Sequence, residues 1–443
     1  MGKKNYGKVI LSGPAPDFAA FRQALVEIAH PQVDVGFVQV GVHEAVLRPH
    51  LLLHLQARSG LPVDQVLTQA GAARVELITE DDAYTLYRHR VEEDLPAAPA
   101  LEAAVPAAAR LWHLQAVNAQ PAWDALGGPD AIDWQDLKVG QIDTGYTRHV
   151  AFGHDDAGDA GSWIRAADCR TFLYPDVPAE YAVLLPAEPG DGRDPMPFGA
   201  LNKGHGTRIG ATISGHARLP DGGMYYGIAP RVPHVVVRIT DTVAINTRQQ
   251  EFVEALDYLV NVARVDVVNV SLGMFPPVAS AAVRAVMRNA RDHGVIVACA
   301  AGNYVDPVVV PAALDTAIAV GGVTAQDRPW SGSSFGPEVA FSAPASGIFR
   351  AAPVRGGLGS GFLGGGDGTS YATAITSGTA ALWLLRWRTQ VAQRYGRTAA
   401  RVEAFKAAAR ATCRVPEAWE PQPFGAGILD AGRLCTDQAA ALP

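Results

Sequence analysis

The sequence predicts an α/β protein whose large domain is a parallel β-sheet with helices on both faces, preceded by a small α+β domain. Past residue 112, continuous apolar segments such as "PHVVVRIT" and "VIVACAAGN" alternate with amphipathic ones such as "RQQEFVEALDYLVNVAR". Strands that are apolar on both faces are buried on both faces, and their alternation with helices indicates a parallel sheet. Hydrophobic residues at 48% and charged residues at 18% of 443 supply a sizeable core.

A change of composition separates the two domains. The segment "EEDLPAAPALEAAVPAAARLW" is rich in alanine and proline and has no strong period, so residues 92–111 are interpreted as a linker. Before it, residues 1–91 carry strand and helix patterns in the order βαββαβ, with helices predicted over 16–30 and 62–71. This order is the split βαβ pattern of a small α+β domain.

The elements of the large domain, residues 112–443, follow in a regular order. Strands are predicted in "LKVGQIDTG", "PHVVVRIT", "VDVVNVSLG", "VIVACAAGN" and "TAIAVGGV". Helices are predicted in "RQQEFVEALDYLVNVAR", in "ASAAVRAVMRNARDHG" with Gly294 just past its C-terminus, and from near Ser370 and Ala399. In such sheets reactive groups collect at the carboxyl ends of the strands.

Four residues of suitable chemistry lie at these strand ends and helix starts. Asp143 ends one strand and Asn303 follows another, while His205 and Ser370 stand at the apparent starts of two helices. Nucleophilic catalysis needs a hydroxyl, a base within hydrogen-bond reach and a group that orients the base. A helix N-terminus adds a positive dipole, and a side-chain amide can complete an oxyanion hole. The spacing of these four residues along the chain does not show that they form one site, so the sequence around each of them has to be compared.

The segments around these residues, "QIDTG", "GHGT", "AAGN" and "GTSYAT", resemble in this order the four signature blocks of the subtilisin-like serine peptidases, or subtilases. Flanking segments from "WHLQAVNAQPAWD" to "FGAGILDAGRL" are similar in the same register, so the resemblance covers residues 112–434. It implies a subtilisin-like parallel sheet and a serine endopeptidase that hydrolyses peptide bonds through an acyl-enzyme.

The resemblance also implies a role for each residue. Ser370 would be the nucleophile, His205 the general base and then acid, and Asp143 the group that orients His205. Asn303 would donate its side-chain amide to the oxyanion, beside the Ser370 backbone N–H. Substrate backbone would pair as an added strand with one wall of the cleft, and that wall and a second would enclose the pocket for the residue before the cleaved bond. The two walls are Ser271, Leu272 and Gly273, and Ala300, Ala301 and Gly302.

The chain departs from the family pattern at several places. Arg208 stands where a second histidine is usual, outside the triad. Only seven residues separate Asn303 from Pro311, a short loop, so residue preference is not carried over from the secreted enzymes. Residues 152–202 match no block and are interpreted as an insertion near the cleft. Ala374 replaces a nearly invariant proline, and since alanine has an N–H and favours helix, we expect a regular helix beginning closer to Ser370.

The resemblance suggests a role for residues 1–91. Subtilase propeptides commonly have a ferredoxin-like fold, assist folding and bind their own catalytic cleft until they are cut off. A docking or sensing domain that is never removed is the alternative.

Composition and motifs bound the remaining functions. A net charge of −7 gives no overall basic surface for nucleic acid or anionic membrane. No signal-peptide or membrane-spanning pattern is seen, so a cytoplasmic location is expected. Four scattered cysteines without a CxxC pair favour neither a metal nor a redox site. "HDDAGD" (154–159) is interpreted as a solvated acidic loop, and structural calcium stays open.

Two alternatives to hydrolysis stay open. In a peptide macrocyclase of the same family an amine replaces water at the acyl-enzyme, and residues 152–202 would screen that intermediate from water. A pseudoprotease would only bind peptides, which the presence of all four chemical residues disfavours. Three further histidines, His149, His154 and His216, are interpreted as surface or supporting residues.

Overall fold

A computed structural model describes four N-terminal strands and residues 107–173, 191–196, 202–275 and 279–443. The main boundary between its two compact units lies between Glu92 and Glu93. The strands of the first unit are β1 (Asn5–Leu11), β2 (Val33–His43), β3 (Arg48–Ala57) and β4 (Ala72–Ile78).

The N-terminal sheet has the order β2-β3-β1-β4, and all neighbouring strands are antiparallel. Strands β1 and β2 are therefore parallel to each other, with β3 inserted between them. This is the strand arrangement of the split βαβ motif predicted from the sequence. The two predicted helices of this domain lie outside the described residues.

The second unit contains a seven-stranded parallel sheet of order β13-β12-β11-β10-β5-β9-β6. Two antiparallel pairs, β7-β8 and β14-β15, accompany it. In chain order, the strands are β5 (Val139–Asp143), β6 (Arg170–Thr171), β7 (His216–Arg218), β8 (Met224–Tyr226), β9 (His234–Arg238), β10 (Val267–Val270), β11 (Ile296–Ala300), β12 (Ile318–Val323), β13 (Val339–Pro344), β14 (Ile348–Ala352) and β15 (Gly361–Gly366).

The helices described are, in chain order, α1 (Ala107–Arg110), α2 (Trp112–Ala116), α3 (Ala119–Asp124), α4 (His205–Ser214), α5 (Gln249–Asn261), α6 (Ala281–Asp292), α7 (Thr369–Arg386), α8 (Arg388–Tyr395), α9 (Ala399–Thr412), α10 (Pro421–Phe424), α11 (Ala431–Thr436) and α12 (Gln438–Ala441). A 3₁₀ turn spans Val150–Phe152. Helix α1 falls within the predicted linker, where its alanines favour helix.

Helices cover both faces of the parallel sheet, as the sequence predicted. Val268 and Val270 of β10 pack in one core cluster with apolar side chains of α5 and α6. Asn269, between them, points to the opposite face because side chains alternate along a strand. There it accepts a 3.0 Å hydrogen bond from Ser377 of α7. Helix α7 also packs along β11, β12 and β13 and against α4.

The ends of α6 follow the predicted helix signals. Ser280 caps the N-terminus by accepting a hydrogen bond from the Val283 N–H at 3.2 Å. Gly294 follows the C-terminus at φ +67°, the left-handed conformation expected of a glycine there. A Cβ atom at Gly294 would lie 2.7 Å from the Thr398 backbone nitrogen, so a larger residue would displace the start of α9.

Short elements rich in glycine or polar residues were not predicted. The hairpin β14-β15 ends in "GFLGGG", a composition that strand propensity disfavours. Part of the segment predicted as an insertion, 152–202, is integrated in the main sheet, because β6 pairs in parallel with the end of β9. Residues 174–190 and 197–201, parts of the 152–202 segment that would screen an intermediate in a macrocyclase, lie outside the described ranges.

The four cysteines, Cys169, Cys299, Cys413 and Cys435, are buried free thiols. In the part of the chain that the structure describes, no helix is long and apolar enough to cross a membrane. Within the same ranges, no three His, Cys, Asp or Glu side chains are grouped so as to hold a metal ion.

Three buried histidines make the large domain sensitive to acid. Burial lowers the pKa of His113 and His149 to about 4 and that of His234 to about 3. Because these folded-state pKa values lie below the unfolded value, the unfolded chain binds more protons between pH 6.5 and 4. The contribution of these neutral histidines to the free energy of unfolding is fully present above pH 6.5 and is lost as the pH drops. The loss is at most about 4 kcal/mol per pH unit, because the unfolded chain binds up to three more protons.

We expect His113→Leu to reduce this slope by about 1.4 kcal/mol per pH unit, the contribution of one proton. His113 is 1% exposed and its Nδ1 atom has no hydrogen-bond partner, so leucine removes little besides the titration. All eight tryptophans lie at or after residue 112, so urea unfolding followed by tryptophan fluorescence reports the large domain. Equal slopes for the two proteins between pH 6.5 and 4 would contradict the prediction, and equal slopes between pH 7 and 8 are the control.

Candidate active site

The carboxyl end of β5 and the N-termini of α4 and α7 meet at one edge of the parallel sheet. Asp143 is the last residue of β5, His205 the first of α4, and Ser370 the second of α7. Gly206 allows β5 and α4, and with them Asp143 and His205, to approach each other, because a Cβ atom at Gly206 would lie only 2.0 Å from the Gly145 carbonyl oxygen. The helix predicted near Ser370 begins at Thr369.

The three predicted triad residues are brought within hydrogen-bond reach. His205 Nδ1 lies 2.7 Å from Asp143 Oδ1, and His205 Nε2 lies 3.3 Å from Ser370 Oγ. Asp143 is 0% exposed, His205 1% and Ser370 4%, so water screens their interactions little. A hydroxyl, an imidazole and a carboxylate in this sequence can remove the hydroxyl proton during attack on a carbonyl.

Gln141, which sequence reasoning missed, holds the second oxygen of the carboxylate. Its Nε2 atom donates to Asp143 Oδ2 at 3.1 Å and to the Gly206 carbonyl at 3.0 Å. Both partners accept hydrogen bonds, so the amide nitrogen and not the oxygen must face them. The Oε1 atom is buried without a partner. A polar residue on the otherwise apolar strand "VGQID" was the available signal.

Asp194 is a second buried carboxylate at this edge and was also missed. Its Oδ2 atom accepts from the Gly204 N–H at 2.9 Å and from Thr144 Oγ1 at 3.2 Å. Thr144 Oγ1 in turn accepts from the Gly206 N–H at 3.0 Å. Burial raises the pKa of Asp194. These bonds tie the residue after Asp143 to the residues on either side of His205.

Asn303 lies beside the first turn of α7. Its Oδ1 atom accepts from the Thr369 N–H at 2.9 Å and lies 2.8 Å from Thr369 Oγ1. Because these contacts engage the amide oxygen, the orientation of the amide is fixed and Nδ2 is the group left to donate. The Ser370 N–H belongs to the first helical turn, whose N–H groups have no partner inside the helix. Asn303 thus lies against the residue before Ser370, with its amide nitrogen available as a donor.

One predicted substrate-binding wall is already paired within the chain. The Gly273 N–H donates to the Val243 carbonyl, and the Gly273 carbonyl accepts from the Ile245 N–H, both at 2.9 Å. Ile245 is fully buried in the core, so this pairing is part of the fold. An added substrate strand at Gly273, as predicted from the resemblance, would have to displace this pairing. The Ser271 carbonyl, 3.4 Å from Ser370 Oγ, still faces the site.

The remaining wall residues flank Ser370 as follows. Leu272 is buried at 2% exposure, and Ala300 and Ala301 are buried at the end of β11 and just after it. Gly302 has φ +119°, and its N–H donates to Thr369 Oγ1 at 3.3 Å. Both predicted walls thus stand next to the start of α7.

The other predicted residues lie away from the reacting atoms. His149 and His154, predicted to be surface or supporting residues, are buried, and His149 Nδ1 accepts from the Ala151 N–H at 3.0 Å. His216 lies 2.7 Å from Asp130. Arg208 Nη1 donates to the Lys203 carbonyl at 2.9 Å.

The fold and the site define an α/β protein with an Asp–His–Ser arrangement at the carboxyl edge of its parallel sheet. Residues 136–414 match the sequence model of the subtilase family, peptidase family S8. The chain belongs to this family, as the four sequence blocks indicated.

Individual relatives agree with the family model. Subtilisin NAT from Bacillus subtilis subsp. natto is 32% identical over 185 residues, 41% of this chain and 45% of that protein. The major intracellular serine protease of Bacillus subtilis (strain 168) is 30% identical over 185 residues, 40% of this chain and 54% of that protein. The chain thus spans about half the length of these curated relatives.

Two solved structures share the fold. A protease from Pseudoalteromonas arctica PAMC 21717 has a TM-score of 0.58 and 21% identity, covering 78% of this chain and 100% of that one. MycP1 with its N-terminal propeptide removed has a TM-score of 0.51 and 21% identity, covering 73% of this chain and 96% of that one. At this identity the likeness concerns the fold alone.

We expect Gln141→Met to lower the unfolding free energy of the large domain by about 1–3 kcal/mol, because two buried acceptors lose their donor. It should also slow the reaction of Ser370 with a fluorophosphonate, since Asp143 is held less firmly behind His205. Labelling rates and urea unfolding measure the two effects. The matched control is Gln326→Met, at an exposed glutamine. A labelling rate for Gln141→Met equal to that of the control would contradict the assignment.

Proposed function

We propose that the protein is a serine endopeptidase that hydrolyses peptide bonds through an acyl-enzyme on Ser370. The observation that supports it most is the continuous contact from Asp143 through His205 to Ser370, at 2.7 and 3.3 Å. Membership of the subtilase family supports the same chemistry.

In the proposed reaction, Ser370 Oγ attacks the carbonyl carbon of the substrate and its proton passes to His205 Nε2. Asp143 accepts the Nδ1–H and stabilises the imidazolium that forms. The negative charge on the former carbonyl oxygen is stabilised by the Asn303 amide and the Ser370 N–H. The C–N bond then breaks, the amine leaves with the proton from His205, and water repeats the sequence to release the acid.

The substrate backbone enters next to the Ser271 carbonyl. Because this oxygen lies 3.4 Å from Ser370 Oγ, it can accept the N–H of the residue before the cleaved bond. The Ser271 hydroxyl donates to the Ser370 carbonyl at 3.1 Å and so joins the wall to the nucleophile's helix. The reaction uses groups of this chain and requires no cofactor.

We expect Ser370→Ala to abolish hydrolysis, with a loss in kcat on the order of 10⁶-fold, the size found when a subtilisin loses its nucleophile. Asn303→Leu should lose on the order of 10²–10³-fold in kcat, as when a subtilisin loses one oxyanion donor. Peptide cleavage followed by mass spectrometry measures both.

The two variants control for each other. Asn303→Leu keeps the nucleophile and should still take a fluorophosphonate label, whereas Ser370→Ala should not. A wild-type protein that binds peptides but takes no label would support a pseudoprotease. Products that lack the mass of one added water would instead support the macrocyclase.

We also propose that residues 1–91 act as an intramolecular folding aid and inhibitor that is cut off during maturation. The support is the strand order of the N-terminal sheet, which is that of the split βαβ motif. Intact-mass measurement tests it: wild type should lose its N-terminal residues, and Ser370→Ala should remain full length. A protein that cleaves peptides while it stays full length would contradict this proposal and support the alternative, a docking or sensing domain that is never removed.

A further inference from the structure

The space between the two predicted walls, here called the primary pocket, is crossed by the chain itself. It lies between Ser271–Gly273 and Ala300–Gly302. The Val309 N–H donates to the Ala301 carbonyl at 2.9 Å, and Val310 pairs with Met274 through two hydrogen bonds of 2.8 and 3.3 Å. The segment therefore forms a floor that is bonded to one wall at Ala301 and to Met274, the residue that follows the other wall.

The side chain of Val309 fills the space above this floor. A Cβ atom built on Gly273 would lie 2.7 Å from Val309 Cγ2, and one built on Gly302 would lie 2.8 Å from Val309 Cγ1. One methyl group thus packs on each glycine, and Val309 is only 5% exposed. A valine held on both sides by backbone cannot rotate away to admit a large side chain.

The short loop after Asn303 explains why Val309 is so close. Only seven residues connect Asn303 to Pro311, and the hydrogen bonds of Val309 with Ala301 and of Val310 with Met274 fix the end of this connection. The upstream part of a substrate also finds little backbone to pair with, because Gly273 is bonded to Val243 and Ile245. Substrate selection therefore depends more on the size of the side chain in the primary pocket than on backbone pairing.

We propose that Val309 restricts the protein to substrates with a small residue, glycine, alanine or serine, before the cleaved bond. This inference rests on the proposed peptidase function and deepens it. A pocket that lacks room for one methylene rejects it by about 10–200-fold. Leucine and phenylalanine exceed alanine by several heavy atoms, so both should be excluded at least this strongly.

The test uses the full chain and N-acyl tetrapeptides that differ only in the residue before a fluorogenic amide: Gly, Ala, Ser, Leu or Phe. Wild type should have a kcat/KM at least about 10-fold higher for alanine than for leucine or phenylalanine. Val309→Ala and Val309→Gly should raise kcat/KM for leucine and phenylalanine, relative to that for alanine with the same variant, by about 10-fold or more.

Val308→Ala is the matched control, since Val308 is an equally buried neighbour that packs in the core cluster. It should lose stability without changing the preference. Counting sites with a fluorophosphonate keeps the comparison per active molecule. A labelled wild type that cleaves the phenylalanine peptide as fast as the alanine peptide overturns this inference alone. If the wild type takes no label and shows no Ser370-dependent cleavage, both the proposed function and this inference are overturned.

Discussion

The contact between the first turn of α4 and the end of β5 is the constraint on which the site depends. Gly206 lies so close to the Gly145 carbonyl that no side chain fits between them. This contact brings His205 to Asp143, and the parallel pairing of β5 with β9 and β10 places Asp143 at the sheet edge. Backbone approach of this kind is determined by sterics, so it holds His205 more firmly than a flexible side-chain contact would.

Hydrogen bonds then fix what the close approach allows. Gln141 and Asp194 both bond to the end of β5 and to the start of α4, one through Asp143 Oδ2 and one through Thr144 Oγ1. Each residue also has an unfavourable buried group: Gln141 has an amide oxygen without a partner, and Asp194 has a carboxylate whose pKa is raised by burial. Such groups persist where the rest of the fold overdetermines their position, which is common at functional sites.

Much of the fold could be predicted from the sequence because its signals are local. Apolar strands, amphipathic helices and Gly294 depend on residues within one turn or strand, and the segments around Asp143 and Ser370 are distinctive as short strings. Gln141 and Asp194 act across 65 and 10 positions of the chain, through contacts that no local pattern encodes. The pairing of Gly273 with Ile245 was missed for the same reason, since it depends on how two loops meet.

The seating of Ser370 combines both kinds of information. Alanine at position 374 allows the helix to run without interruption from Thr369, so the Ser370 carbonyl can accept the N–H four residues on. The same carbonyl also accepts from Ser271 Oγ, which is bonded to Asn269, and Asn269 is bonded to Ser377, about two turns further along α7. A proline at 374 would leave this carbonyl with Ser271 alone. The alanine and the polar chain from β10 therefore act together: they hold the nucleophile's backbone, and its hydroxyl faces His205 Nε2 at 3.3 Å and the Ser271 carbonyl at 3.4 Å.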